Sequence, residues 1–271
     1  PPTDAIAGPN DSPALTRVAN DGMARICREH PDRMPWFIAS LPMNNTAAAV
    51  AEVDRVIDEH NAVGFQLFTN VNNKALDQPE FRDIFAKIAE RGKIIWLHPT
   101  RPATHPDYLT EDRSFYEIFW GFGWAYETSV AMARIVCSGM FDEIPDLKII
   151  AHHWGAYAPH AEGRFTPAWE SRNAVMGDEQ GFAGKLKKPL VDYFKKDFYG
   201  DTAMFGAQAA SQAGFDFFGA DHSVFATDAP YDHEGGAYNI RSTLEVLKNL
   251  RCTDDDRQMI FEDNARRLFG I

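Results

Sequence analysis

Short apolar runs alternate with longer amphipathic segments along this chain. The runs are bounded by Gly, Pro, Asn or Asp, and they occupy residues 36–41 (WFIASL), 63–68 (VGFQLF), 93–97 (KIIWL), 148–152 (KIIAH), 198–202 (FYGDT) and 223–227 (SVFAT). Near-continuous apolar runs of this length predict strands of a parallel sheet that is buried on both faces.

The segments between these runs predict helices. The clearest one repeats apolar residues at i, i+3, i+4, i+7 and i+8 from Phe81 to Ala89, and Gly92 follows as a stop signal. Residues 47–59 and 240–247 show the same kind of spacing. Alternating strands and helices predict an α/β fold. No Ser/Gly-rich linker divides the chain, so we expect residues 1–271 to form a single domain.

Six predicted strands fit two architectures. A doubly wound open sheet can stop at six strands, but no G-x-G-x-x-G follows any of the runs, so its nucleotide-binding form lacks its signature. A (β/α)8 TIM barrel needs eight strands. The chain opens at Pro1, without a methionine and in a loop-like stretch. We therefore expect a barrel whose strands 1 and 2 are missing from this sequence and precede Pro1.

The charge and the cysteine content of the chain limit the classes of binding partner and the cellular compartment that we expect. A net charge of -12 and a pI near 5.2 argue against nucleic acid or an anionic membrane as the main partner. No apolar run approaches the roughly 20 residues that a membrane span requires. The 3 cysteines lie far apart without a C-x-x-C pair, which is typical of reduced thiols and predicts a cytoplasmic protein.

Three predicted strands end in side chains that can bind a metal. His98, His153 and Asp228 each follow an apolar run and precede a turn. In a parallel barrel all the strand carboxyl ends open on one face, so these three side chains would meet there. Each has an ordinary alternative, since a lone histidine is often hydrogen-bonded in a loop and an aspartate often forms a turn. Together they predict a site for a divalent ion, zinc or else manganese. No G-x-S-x-G elbow supports a serine hydrolase.

Three stretches resemble a known family. Residues 126–159, 219–230 and 264–269 are similar to the amidohydrolase-2 branch of the amidohydrolase superfamily. This branch includes the aminocarboxymuconate-semialdehyde, γ-resorcylate and 5-carboxyvanillate decarboxylases. The most specific elements are H-x-G-x-x-x-P from His153 to Pro159 and the TDAP that ends at Pro230.

The resemblance implies a role for four residues. His98 would be the metal ligand after the fifth barrel strand, and His153 the catalytic histidine that borders the metal. Asp228 would be a ligand and a proton-transfer group. Arg164 would bind the substrate carboxylate, in some members across a dimer interface, and its planar fork suits a carboxylate. The H-x-H or E-x-H pair that the family carries on its first strand does not occur here, and we expect it upstream of Pro1.

Three further features have weaker interpretations. Strand alternation predicts that His152 faces the helices and is structural. Asp201 either orients a metal ligand or caps a turn. The aromatic residues within 115–126 (FYEIFWGFGWAY) could line an aryl-binding pocket, form a subunit interface or pack in the core.

The function that the resemblance implies is metal-dependent, non-oxidative decarboxylation of an aromatic or unsaturated carboxylic acid. A hydrolase acting on a lactone or amide, or a hydratase, would use the same residues. A third hypothesis, outside the enzymes, is a catalytically inactive barrel that serves as a binding protein. The expected partners are a small carboxylic acid and further copies of the chain, in a homodimer or a higher homo-oligomer.

Overall fold

Each apolar run forms a strand, and one of these strands extends a residue beyond its run, to His98. The structure is a computed structural model, and it describes residues 2–165, 167–175 and 186–271. The strands are β1 (Ile38–Ser40), β2 (Gly64–Phe68), β3 (Asn70–Val71), β4 (Lys74–Ala75), β5 (Ile94–His98), β6 (Ile149–Ala151), β7 (Phe198–Asp201) and β8 (Ser223–Val224). Six of them pair in parallel in the order β1-β2-β5-β6-β7-β8, and β3 and β4 form a small antiparallel hairpin. Strands upstream of Pro1 stay a prediction.

Helices follow the strands, as the amphipathic segments predict. The helices are α1 (Thr3–Ile6), α2 (Ser12–Glu29), α3 (Thr46–His60), α4 (Arg82–Glu90), α5 (Trp124–Cys137), α6 (Met140–Glu143), α7 (His152–Gly155), α8 (Pro167–Ala174), α9 (Leu190–Lys196), α10 (Gln208–Phe218), α11 (Ala237–Lys248), α12 (Asp254–Gln258) and α13 (Asn264–Phe269). Shorter 3-10 or π segments occupy Pro79–Phe81, Phe119–Gly123, Glu162–Arg164, Ala220–His222 and Met259–Asp263. In the described part of the chain, no helix has the length and apolarity of a membrane span.

The two faces of the parallel sheet bury different residues. One face carries Ile95 and Leu97 into the large core beneath the helices. The opposite face carries Ile94 and Ile150 into a smaller cluster, which Leu268 of α13 covers. This alternation with period two accounts for the near-continuous apolar runs, because both faces of the sheet are buried.

Strand β6 ends one residue earlier than its run predicts. After Ala151 the backbone enters the short α7, where His153 (φ 56) and Trp154 (φ 45) adopt left-handed conformations that are uncommon for residues other than glycine. The Trp154 indole is fully buried and donates from Nε1 to Ser223 Oγ at 2.9 Å. A Cβ on Gly214 would lie 2.5 Å from its ring, so the indole needs a glycine there. This packing anchors the turn that carries the two adjacent histidines.

Candidate active site

A pocket of about 1420 Å3 lies at the carboxyl ends of the parallel strands. His98 at the end of β5, His153 after β6 and Asp228 after β8 all contribute to its wall. The structure therefore brings the three sequence-predicted site residues to one cavity. Most of the remaining wall is apolar or aromatic, and it includes Trp96 and Trp124.

His98 is held as a neutral imidazole. Its Nδ1 lies 2.6 Å from the main-chain oxygen of Pro99, and a carbonyl only accepts, so Nδ1 carries the proton. The rings of Phe68 and Trp124 pack edge-on against it, at 5.3 and 5.6 Å between centroids. Burial lowers the pKa of His98 to about 4. Its Nε2 therefore keeps a lone pair at neutral pH, as a metal ligand must.

His153 is fixed at both its backbone and its ring. Its main-chain N–H donates to Asp201 Oδ1 at 2.8 Å, and its Nδ1 donates to the main-chain oxygen of Ala203 at 2.5 Å. The ring of Phe205 lies 5.1 Å from the imidazole between centroids. With Nδ1 protonated, Nε2 is the nitrogen that can bind or act in the pocket.

The prediction that His152 faces the helices is wrong. Its side chain lies on the pocket wall, and its ring centroid is 4.8 Å from that of His98. The alternation rule fails because the strand stops at Ala151 and His152 already belongs to the turn. Burial lowers the pKa of His152 to about 3. Its buried Nδ1 has no hydrogen-bond partner, and Asp201 Oδ2 is 3.5 Å away, so the contact joins a neutral ring and a carboxylate.

The carboxylate of Asp201 is buried beneath these histidines. It accepts hydrogen bonds from Trp96 Nε1 at 3.0 Å and from the main-chain N–H groups of His153 and Ala203. Burial pushes the pKa of Asp201 upward, but the nearby imidazoles and these N–H donors outweigh it, so the pKa lies below its ordinary value. Asp201 is therefore an anion that the protein already satisfies.

Asp228 is half-buried and adopts a left-handed φ of 60°. Asn239 Nδ2 donates to its main-chain oxygen at 3.2 Å and so braces the turn after β8. Burial raises the pKa of the Asp228 carboxyl, the His153 imidazole opposes that rise and the Asp201 charge adds to it. A carboxyl that holds its proton more tightly than usual is suited to proton transfer.

Arg164 lies outside the pocket wall, and the aromatic run at residues 115–126 lies only partly on it. Arg164 is exposed in the turn Glu162–Arg164 and does not contribute to the pocket wall. In residues 115–126 none is buried, which contradicts core packing as the explanation of the run. Trp120 and Trp124 line the pocket, whereas Tyr116 and Phe122 are exposed. Among the residues that the structure describes, no Lys or Arg lines the pocket.

The donor set on the pocket wall suits a divalent metal. His152, His153 and Asp201 offer ligand atoms within 4.8 Å of one another. The Asp201 oxygens already accept three hydrogen bonds, so the nitrogens of the histidines are the freer donors. The orphaned Nδ1 of His152 is a buried polar atom that a metal would satisfy. Sequence reasoning placed no ligand at His152, although two adjacent histidines at a strand end were the signal.

Comparisons with known proteins identify the family. A family model described as amidohydrolase matches residues 2–271. A gamma-resorcylate decarboxylase from a Rhizobium species is 30% identical over 287 residues, which cover 100% of this chain and 80% of that protein. The crystal structure of 2,6-dihydroxybenzoate decarboxylase from Rhizobium is similar with a TM-score of 0.83 and 27% identity, covering 100% of this chain and 81% of that one.

A second solved structure is of a dihydroxybenzoic acid decarboxylase from a Polaromonas species, with bound manganese and the inhibitor 2-nitroresorcinol. It is 25% identical with a TM-score of 0.77, and the match covers 98% of this chain and 77% of that one. These neighbours are TIM-barrel decarboxylases, which confirms the α/β barrel class predicted from the sequence. A divalent metal is likewise supported by the manganese-bound relative and by the histidine and aspartate cluster here.

Proposed function

We propose that this chain, which belongs to the amidohydrolase family, catalyses metal-dependent, non-oxidative decarboxylation of an aromatic carboxylic acid, with hydroxybenzoates as the first substrates to test. One observation carries the proposal. Buried imidazoles, with Nδ1 of His98 and His153 fixed on main-chain carbonyls, share a largely aromatic pocket with the carboxyl of Asp228, whose pKa is raised by burial. The relatives named above act on dihydroxybenzoates, which supports this substrate class.

His98, His153 and Asp228 would hold the metal, and His152 adds a further donor. Zinc suits imidazole and carboxylate ligands, and manganese is the alternative because a relative binds it. A divalent cation supplies Lewis acidity that draws electron density from substrate oxygens. Neutral histidines favour its binding, since protonated imidazoles offer no lone pair.

The chain's own residues would orient the ring and move one proton. Trp124, beside His98, and Phe205, beside His153, line the pocket and would offer apolar surfaces to an aromatic ring. Asp228 would deliver its proton to the ring carbon that bears the carboxylate. The bond between that carbon and the carboxylate then breaks, its electron pair restores the aromatic ring, and carbon dioxide leaves. His153, beside Asp228, would steady the charge that changes on the carboxyl.

The test is to incubate metal-loaded protein with hydroxybenzoates and muconate-type acids, and separately with lactones and amides. We expect carbon dioxide release from at least one aromatic acid and, in heavy water, deuterium at the carbon that lost the carboxylate. Asp228→Asn should abolish most of this turnover, because an amide has no proton to give at that position. Hydrolysis of lactones or amides without carbon dioxide from any acid would overturn the proposal in favour of a hydrolase.

Arg164 would serve the pocket of a second copy of the chain. Arg164 is exposed and does not line the pocket of its own chain, which supports a role across an interface. Tyr116 and Phe122, which are 93% and 68% exposed, give the chain an aromatic surface of the kind enriched at interfaces. Mixing inactive Arg164→Ala and Asp228→Ala subunits tests this. Recovered activity supports a homodimer or a higher homo-oligomer with shared sites, and no recovery contradicts it.

Residues 1–271 would act as one domain in the cytoplasm. A single large hydrophobic cluster runs from Ala24 to Ile260, which supports one cooperative unit. Cys27, Cys137 and Cys252 are free thiols, which suits a reducing compartment. One unfolding transition and recovery of the native protein in the cytoplasmic fraction are the expected results.

A further inference from the structure

Asp201 connects the ends of two neighbouring strands. It is the last residue of β7, it is fully buried, and it does not contribute to the pocket wall. Its Oδ1 accepts from the main-chain N–H of His153 at 2.8 Å and from that of Ala203 at 3.2 Å. Its Oδ2 accepts from Trp96 Nε1 at 3.0 Å. The carboxylate therefore ties together the turn after β6, the loop after β7 and a side chain of β5.

These contacts close a ring around His153. Asp201 holds the N–H of Ala203, and the carbonyl oxygen of the same Ala203 accepts the Nδ1 proton of His153 at 2.5 Å. One carboxylate thus fixes the main chain of His153 directly and its imidazole through one residue. In the neutral imidazole, a proton held at Nδ1 by this hydrogen bond leaves the lone pair on the other nitrogen, Nε2.

The backbone of His153 needs such support. Its φ of 56° and ψ of 48° place a non-glycine residue in the left-handed region, and Trp154 follows in the same region. Residues persist there only where the surrounding structure over-determines them. The charge-assisted hydrogen bond from the His153 N–H to Asp201 is the contact that acts on the strained residue itself.

We propose that Asp201 is a positioning residue, which holds the His153 imidazole as the Nδ1–H form aimed at the pocket without binding metal or substrate. The expected fall in kcat rests on the proposed decarboxylase function. The positioning role itself does not depend on that function. Its competitor is direct metal ligation, since a ligand oxygen of Asp201 lies within 4.8 Å of donors on His152 and His153. Three accepted hydrogen bonds and full burial favour positioning.

Asp201→Asn is the sharpest change. It keeps the shape, but the amide NH2 must face either the indole N–H of Trp96 or the two main-chain N–H groups, and donors then oppose donors. We expect kcat to fall roughly 10- to 100-fold with KM little changed, while metal supplied at a saturating concentration still binds, because His98 and Asp228 are unchanged. Asp216→Asn, on the exposed side of α10, is the matched control and should leave kcat unchanged.

The tautomer of His153 gives a readout that does not depend on activity. In metal-free wild-type protein, the imidazole 15N shifts of His153, assigned with a His153→Asn variant, should show protonated Nδ1 and unprotonated Nε2. In Asp201→Asn the two tautomers should mix. In Trp96→Phe/Asp201→Asn the opposing indole donor is gone, so the amide can turn its oxygen to the main chain, and both the tautomer and part of kcat should recover.

The outcomes separate the two proposals. Loss of metal from Asp201→Asn with an unchanged His153 tautomer would make Asp201 a ligand and overturn the positioning role, whereas loss together with mixed tautomers would support positioning through His153. A wild-type imidazole protonated at Nε2, or an Asp201→Asn protein with unchanged tautomer and kcat, would also overturn it. If no substrate releases carbon dioxide, the proposed function fails, but the 15N shifts still decide the role of Asp201. If Asp201→Asn does not fold, the wild-type spectrum alone supports or contradicts the proposal.

Discussion

The imidazoles of His98 and His152 stand edge to face, with ring centroids 4.8 Å apart and planes inclined at 70°. Burial lowers the pKa of His98 to about 4 and that of His152 to about 3. Both rings are neutral at pH 7, and this suits metal binding. Two imidazolium ions in this arrangement would repel each other without solvent to screen them, so the site is a weak point of the fold in acid.

The first prediction concerns stability against pH in the metal-free protein. In the unfolded chain these histidines titrate near 6.5, above their folded values. Between the two values the unfolded chain binds more protons, so acid favours unfolding. The contribution to the free energy of unfolding is complete above a pH of about 6.5 and is lost as the pH falls towards about 4 and below. Urea unfolding midpoints measured across this range check it.

The control for this prediction is the double variant His98→Asn/His152→Asn. Asparagine does not titrate, so the variant should lose less of its free energy of unfolding over the same pH range than the wild-type protein does. An identical pH dependence in both proteins would show that other groups are responsible.

The second prediction concerns metal content. His98→Ala and Asp228→Ala should each lower the bound divalent metal well below that of the wild-type protein, as elemental analysis would measure. His222→Ala is the matched control, because His222 donates from Nδ1 to the Phe198 carbonyl and stacks on Tyr199, away from the pocket wall. Full occupancy in both site variants would remove these residues from the metal site.

The third prediction uses two glycines inside helices. A Cβ at Gly214 of α10 would lie 2.5 Å from the buried Trp154 ring, so Gly214→Ala should destabilise the fold by about 1–3 kcal/mol. At Gly22 of α2 a Cβ meets nothing within 4 Å, so Gly22→Ala should stabilise by up to about 1 kcal/mol. Thermal unfolding of both variants measures the difference. Shifts of the same sign would contradict the packing argument.

The fourth prediction concerns a buried ion pair. Glu52 is 2% exposed. Arg55 donates hydrogen bonds to its carboxylate from Nε at 2.8 Å and from Nη2 at 2.7 Å, and Asn20 donates to it from Nδ2 at 2.8 Å. Arg55→Met leaves this carboxylate with only the more distant and largely exposed Arg17, at 3.6 Å, and should cost about 3 kcal/mol of unfolding free energy. Denaturant titration measures the loss.

An exposed ion pair supplies the comparison. Arg25 and Glu29 lie 3.8 Å apart with most of their side chains in solvent, so Arg25→Met should cost less than about 0.5 kcal/mol. Glu52→Leu/Arg55→Met should recover part of the loss of the single variant, because no charge is then buried alone. Equal losses in the Arg55 and Arg25 variants would contradict the role of burial.

The sequence pattern located the strands and helices well because burial on both sheet faces leaves a continuous apolar run. Residues 47–59 predicted a helix that the structure extends by one residue at each end, to Thr46–His60. The pattern was less accurate at strand ends, where hydrogen bonding rather than hydrophobicity sets the limit. The run at residues 148–152 therefore overstated β6, which ends at Ala151.

That single residue explains why the site was only partly predictable. His98 continues the alternation of β5, so its direction follows from its position in the strand. The direction of the His152 side chain depends on the left-handed backbone of the residues that follow it. No local sequence pattern predicts a left-handed conformation for residues other than glycine. The contact between Trp96 and Asp201 joins positions 105 residues apart, and only the closed fold brings them together.

The pocket wall also dictates an order of events. In the described residues that form it, the ionisable groups are histidines, the Asp228 carboxyl and two tyrosines, without a lysine or an arginine, in a chain of net charge -12. Without a bound cation, these side chains present a neutral to negative potential to an incoming acid, and a divalent cation would reverse it. Binding should be compulsory-ordered: the cation arrives first, and the organic anion is admitted afterwards. Acid substrates would then protect the metal from chelators, while adding no thermal stability to the metal-free protein.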